Sequence, residues 1–252
     1  MSMERILYAT DRVNEFSLAL RGLLPLRALG LKEIVILPKS GSPEGAGLSG
    51  NGITVRMLAV NRLNASRILE AADKEGVSLI AVDLDRNVNT SYGSLYRKLI
   101  RMADIPLLFV HHSAGEDEAG EKGFFSNVVF PTDWSPVSER ALQQLLEFKE
   151  LLGELELVTV ISGKLSVRDM RQLRDQIAET RKRLLDNRIN AESHIYAGPV
   201  PNEILTAAGD YHASLILLGG ESGKRNVVKT LRGSATTSRV AIYAAMPVLV
   251  VP

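Results

Sequence analysis

Apolar residues along this chain gather into short continuous runs, separated by segments in which they recur every three or four positions. Ile6 to Ala9, Ile34 to Leu37 and Leu79 to Val82 are apolar at successive rather than alternate positions. Such runs predict strands covered on both faces, hence a parallel sheet. The intervening spacing predicts helices, so strand and helix alternate and the fold class is α/β, doubly wound, with helices on both faces.

The order of these elements occurs twice. Residues 5–20, RILYATDRVNEFSLAL, parallel residues 127–142, NVVFPTDWSPVSERAL: an apolar run, Thr-Asp, then a polar turn into helical spacing. Asp11 and Asp133 therefore occupy equivalent strand-to-helix junctions. Residues 30–37 pair with 153–160 as strands that follow a helix ending at glycine. Residues 66–82 pair with 202–218 as helix then strand, and 93–110 with 233–251 as a Gly-Ser helix start followed by a strand entered through proline. Two tandem domains follow, residues 1–112 and 124–252. Between them SAGEDEAGEKG, residues 113–123, is acidic, glycine-containing and without apolar periodicity, which predicts an exposed linker. Val167, Met170, Leu173, Ile177 and Leu184 predict an amphipathic helix packed on the sheet, where the first copy carries the glycine-rich loop 39–52.

Composition narrows the partners. Lys+Arg 30 against Asp+Glu 29 leaves a formal charge of +1, so no global field gathers nucleic acid or an anionic membrane. The absence of cysteine removes disulfides, thiolate metal sites and cysteine nucleophiles. No apolar run approaches the ~18 residues of a membrane span, and the expectation is a soluble cytoplasmic protein.

Candidate chemistry concentrates after the run Leu215 to Leu218. Gly220, Gly223, Gly233 and Ser234 form G-x2-G-x9-G-[ST]. In an open α/β sheet the ligand crevice lies beyond the carboxyl ends of the strands, and these glycines follow one directly. Glycine lets backbone amides approach a phosphate, and Gly233-Ser234 is expected to open the last helix, where amides and dipole favour an anion. Ser234 and Thr236 add hydroxyl donors. The bland alternative is a tight turn and a helix cap, just as Asp133 by itself reads equally as a cap. The spacing fits neither a Walker loop, because Lys224 is followed by Arg225, nor a dinucleotide fingerprint, which belongs to the first strand-to-helix turn.

With this glycine motif, and with an Asp after the first strand of each copy, the chain resembles tandem members of the universal stress protein family over nearly its whole length. The resemblance implies a five-stranded parallel sheet of order 3-2-1-4-5 in each half and an internal pseudo-dimer through the final strands, with a homodimer as a further form. It implies ATP or AMP as the cofactor, with Mg2+ accompanying ATP. Gly220, Gly223, Gly233, Ser234 and Thr236 would hold phosphates and ribose. Asp133, with Pro131 and Thr132 in PTD, would bind ribose or adenine, and Val160 and Gly219 would flank the adenine.

The first copy has lost the motif. Aligning Ser78-Leu79-Ile80 with Ser214-Leu215-Ile216 sets Asp83 and Leu84 opposite Gly219 and Gly220. Asp83 and Asp85 are expected to put negative charge where phosphates would sit, so the expectation is one nucleotide per chain, held in the second half. His111 and His112 are adjacent and face opposite ways on a strand, and His194 and His212 read as surface or capping residues rather than ligands. No catalytic constellation and no metal site emerge. The favoured function is a nucleotide-responsive stress or signalling module. Its rivals are a scaffold that self-associates through the terminal strands 107–110 and 248–251, and a slow ATPase.

Overall fold

A computed structural model describes residues 3–11, 16–39, 52–58, 62–84, 92–111, 123–220 and 231–252, with backbone alone for 16–19 and 231–234. Residues 113–122 of the expected linker, most of the 39–52 loop, Asp85, His112 and Gly223 fall outside the described residues. The first half contains β1 (Arg5–Thr10), α1 (Phe16–Leu23), β2 (Glu33–Pro38), β3 (Thr54–Met57), α2 (Ala65–Glu75), β4 (Leu79–Asp83), α3 (Tyr92–Met102) and β5 (Leu107–Val110). The second contains β6 (Asn127–Pro131), α4 (Pro136–Glu147), β7 (Glu154–Ile161), α5 (Val167–Asp186), β8 (Glu192–Ala197), α6 (Val200–Asp210), β9 (Leu215–Gly219), α7 (Leu231–Tyr243) and β10 (Val248–Val251).

These strands form one ten-stranded sheet in the order β3-β2-β1-β4-β5-β10-β9-β6-β7-β8. Each half is the expected parallel 3-2-1-4-5 sheet. The two are joined by an antiparallel pairing of β5 with β10, in which Leu108 stands opposite Leu249. The terminal strands are therefore paired inside the chain, and the free edges among the described strands are β3 and β8.

Successive residues of a strand feed opposite faces. In β1, Ile6 and Tyr8 join one core with Leu142 and Leu145 of α4 and Leu184 of α5, while Leu7 and Ala9 join the other with Ile68 of α2, Leu99 of α3, Ile204 of α6 and Val240 of α7. This double covering is why the runs are apolar at every position. Local signals set the boundaries. Asn64 caps α2 by accepting from the Arg67 amide, and Gly76 ends it with a positive φ. Ser166 and Asp169 form a capping box on α5. Among the described residues, no helix is long and apolar enough to cross a membrane.

Two expectations need correction. Gly30, φ 96°, does end the 3-10 turn Leu24–Leu29, but in the second half α4 stops at Glu147 and is capped by Phe148. Gly153 serves a different need: a Cβ there would stand 2.3 Å from the Ser126 carbonyl oxygen. In α5 only part of the apolar stripe packs on the sheet, since Leu173 and Leu184 are buried while Val167 is 71% and Met170 45% exposed. A 20-residue helix spans about 30 Å, whereas the six residues of β8 span about 20 Å. The helix outruns the strand beside it.

Leu249 is buried at the junction between the halves. Leu249→Ala should cost about 2–5 kcal/mol, read as a lower urea midpoint for the full chain.

Candidate functional site

In a 3-2-1-4-5 sheet the chain leaves the first strand toward one side and returns to the fourth on the other, which opens a crevice between their carboxyl ends. In the second half those strands are β6 and β9, paired directly through Val128–Leu215 and Val129–Ile216. Asp133 follows β6, and Gly219 is the last residue of β9. The two expected contact points therefore stand across the switch point from each other.

The β6–α4 turn is built around Asp133. Its Oδ1 accepts from the Ser135 amide at 3.0 Å and from the Ser138 hydroxyl at 2.8 Å. Ser135, not Asp133, is the N-cap of α4, accepting from the Ser138 amide. Partial burial pulls the Asp133 pKa upward, but the hydrogen bonds from Ser135 and Ser138 outweigh it and hold the carboxyl below the usual carboxylate range. Asp133 is nonetheless exposed, as a group that meets a ligand must be, while Pro131 and Thr132 are buried behind it. Thr132 Oγ1 accepts from the Trp134 amide at 3.2 Å.

Trp134 is the residue that spacing alone did not single out. It adopts a φ of 54°, an uncommon conformation for a bulky side chain. Its indole N–H donates to Thr180 of α5 at 2.9 Å, and the buried Thr180 hydroxyl donates to the Gln176 carbonyl. The rim of the crevice is thereby tied to α5.

On the β9 side, the two glycines answer to packing. A Cβ on Gly219 would lie 2.5 Å from the Val137 carbonyl oxygen, so its absence lets the first turn of α4 close on the strand. A Cβ on Gly220 would lie 2.6 Å from Val250 Cγ1. The Gly220 amide donates to the Val251 carbonyl at 2.6 Å. That amide is committed to the sheet, which corrects its expected role as a phosphate donor.

Buried Thr237 donates its hydroxyl to the Gly219 carbonyl at 3.0 Å and so holds the start of α7 beside the end of β9. Thr236 is half-buried next to it. The helix opens at Leu231, two residues before the expected Gly233-Ser234 start. Gly233 and Ser234 still fall within its first turn, where the first four amides lack an intrahelical acceptor and the dipole is positive. Val160, the penultimate residue of β7, is half-buried and packs against the core on the α6 and α7 side.

The equivalent crevice in the first half is constructed differently. Asp83 does end β4, where Gly219 ends β9, but its carboxylate is buried and accepts from the Tyr8 hydroxyl at 2.5 Å. The charge expected in the phosphate position is turned toward Tyr8 instead. Lys39 Nζ lies 3.7 Å from Asp11 Oδ2, so the residue equivalent to Asp133 already has a cationic partner. The first half also holds a cleft of about 670 Å3 lined by Glu4, Arg5, Lys32, Glu33 and Ser78. It sits at the amino edge, and its charges pair among themselves, Lys32 with Glu4 and Arg5 with Glu33.

The universal stress protein family matches residues 125–252, half of the chain and the half that carries the crevice just described. The chain belongs to the universal stress protein family. Among solved structures it is similar to a universal stress protein from Archaeoglobus fulgidus DSM 4304, at 18% identity and a TM-score of 0.66, over 99% of this chain and 96% of that one. It is also similar to a putative universal stress protein from Pseudomonas aeruginosa UCBPP-PA14, at 16% identity and a TM-score of 0.68, over 99% and 93% of the two chains. At these identities the likeness speaks for the fold, and it spans both halves. No curated protein sequence matches the chain.

Two outcomes test the site of this universal stress protein without any ligand. Gly219→Ala should lower stability by roughly 1–3 kcal/mol, measured by urea unfolding, because the methyl meets backbone rather than a flexible side chain. Asp133 has a depressed folded pKa, so its charge stabilises the fold above the unfolded value near ~3.9, and that contribution is lost as pH falls through the folded value. Asp133→Asn should therefore be less stable than the parent at neutral pH, with the gap narrowing as the pH is lowered below the unfolded value.

Proposed function

We propose that this protein is a cytoplasmic, nucleotide-responsive stress or signalling module that binds one adenine nucleotide, ATP or AMP, in the carboxyl-edge crevice of its second half. The observation that carries this reading is the exposed, hydrogen-bonded Asp133 carboxylate set across the switch point from the β9–α7 connection. A carboxylate held ionised accepts hydrogen bonds from ribose hydroxyls, and the first turn of α7 supplies amides and a dipole for an anionic tail. The phosphate contacts are assigned to Gly223, Gly233, Ser234 and Thr236, with Mg2+ as the counterion of ATP. Gly219 and Gly220 contribute by letting backbone pack closely behind the ligand, and Val160 by offering an apolar wall.

Confinement to one half is supported by the Asp11–Lys39 pair and by Asp83 and Leu84 in place of the two glycines. The self-association rival loses its expected surface, because β5 and β10 are paired to each other and not exposed. Trp134 is the sole tryptophan of the chain and adjoins Asp133. Its fluorescence is a direct reporter.

Titration with ATP and AMP should saturate at one nucleotide per chain, read by Trp134 fluorescence and by calorimetry. Asp133→Ala, or Gly223→Ala combined with Gly233→Ala, should weaken it at least tenfold, about 1.4 kcal/mol. No saturable binding by the parent would favour the scaffold. Steady phosphate release abolished by Asp133→Ala would favour the ATPase.

A further inference from the structure

A second polar cluster lies away from the nucleotide crevice, on the same half. Glu156 is the third residue of β7, four positions before Val160 and hence about 13 Å toward the amino edge. In the register of β7 and β8, Glu156 stands directly opposite Glu192, and Val158 opposite His194. One ligand atom from each of Glu156, Glu192 and His194 lies within 4.8 Å of the others. From this geometry we infer that Glu156, Glu192 and His194 form a binding site for a divalent transition-metal cation of the zinc class.

The chemistry of the donors points to a cation. Two carboxylates directly opposite on neighbouring strands repel each other, and Glu156 is buried, only 8% exposed. Burying a carboxylate demands a compensating positive charge or hydrogen bonds. The one ion pair of Glu156 among the described residues is with His194, whose Nε2 lies 2.6 Å from Glu156 Oε2, while Glu192 has none. A single imidazole, paired with Glu156 while Glu192 stands beside it, leaves a negative balance that a divalent ion reverses.

The histidine is oriented as a metal ligand is. Its Nδ1 lies 2.8 Å from the Tyr211 hydroxyl, and the two rings stack at a centroid distance of 4.2 Å. Tyr211 is fixed in turn at the end of α6, where its carbonyl accepts from the Asn127 side-chain amide at 2.5 Å. In the ion-free chain the 2.6 Å contact requires a proton between Nε2 and Glu156; a cation would displace that proton, and with the other proton on Nδ1 donated to the tyrosine oxygen, Tyr211 would be the outer partner that sets the tautomer of a ligating histidine. Around a tetrahedral ion with bonds of about 2.1 Å, ligand atoms stand about 3.4 Å apart. Glu156 and His194 need to separate by less than 1 Å to admit it. Glu192 is exposed on the edge strand β8, which gives the ion an entry path and leaves a fourth position for water. Imidazole with carboxylate favours Zn2+ or its neighbours over Mg2+. This site is independent of the nucleotide reading.

The test uses the full, tag-free chain, stripped with EDTA and titrated with ZnCl2 by calorimetry, with a thermal melt in parallel. One Zn2+ per chain is expected, together with a higher Tm in its presence. Glu192→Gln and His194→Gln should each weaken binding at least tenfold while keeping the parental far-UV spectrum, and His212→Gln, an exposed neighbour, should bind as the parent does. Absence of saturable zinc uptake by the parent overturns the proposal. So does parental affinity in either Glu192→Gln or His194→Gln, or an equal loss in His212→Gln.

Discussion

The antiparallel pairing of β5 with β10 is the constraint on which the rest of this molecule depends. Each half ends in a short apolar strand that, left alone, would expose a row of backbone donors and acceptors beside hydrophobic side chains. Pairing satisfies both rows at once and brings Leu108 against Leu249. It also brings α3 against α7, with Gly93 beside the Ile242 side chain. His111, buried at the end of β5, places Nε2 2.9 Å from the Ala241 carbonyl of α7, so Nε2 is the donor. The helix whose first turn borders the crevice is thus anchored at its far end to the other half.

Because the joint is antiparallel, the carboxyl edges of the two half-sheets point in opposite directions. The two crevices therefore open at opposite edges of the continuous sheet. In the first, the end of β4 carries Asp83 rather than glycine, and burial of that carboxylate is compensated by the Tyr8 hydroxyl. In the second, glycine at the end of β9 allows α4 to approach the strand and Thr237 to bind its carbonyl. Two copies of one topology have been specialised by a handful of side chains at strand ends.

Much of the site was legible because its parts are local. Thr-Asp after an apolar run predicts a strand-to-helix turn wherever it occurs, and Asp133 is found in such a turn, although the cap itself is Ser135. The glycines after β9 were equally visible, but their reasons were not. That Gly220 spends its amide on Val251 and that Gly219 makes room for Val137 depend on partners 31 and 82 positions away. Trp134 was passed over, and His194 read as a surface or capping residue, for the same cause. Thr180 lies 46 residues beyond Trp134, and Glu156 lies 38 before His194.

What the amino-acid order determined unaided was the repeating alternation of strand and helix, the doubly covered strands and the duplication of the unit, since each rests on periodicity within a few residues. Tertiary structure decided which strand ends face each other and which edge strands are consumed at the junction. It also decided which amides remain for a ligand and where two carboxylates and an imidazole converge. Hydrogen bonding and close packing act through space, and only the folded sheet turns distant positions into neighbours.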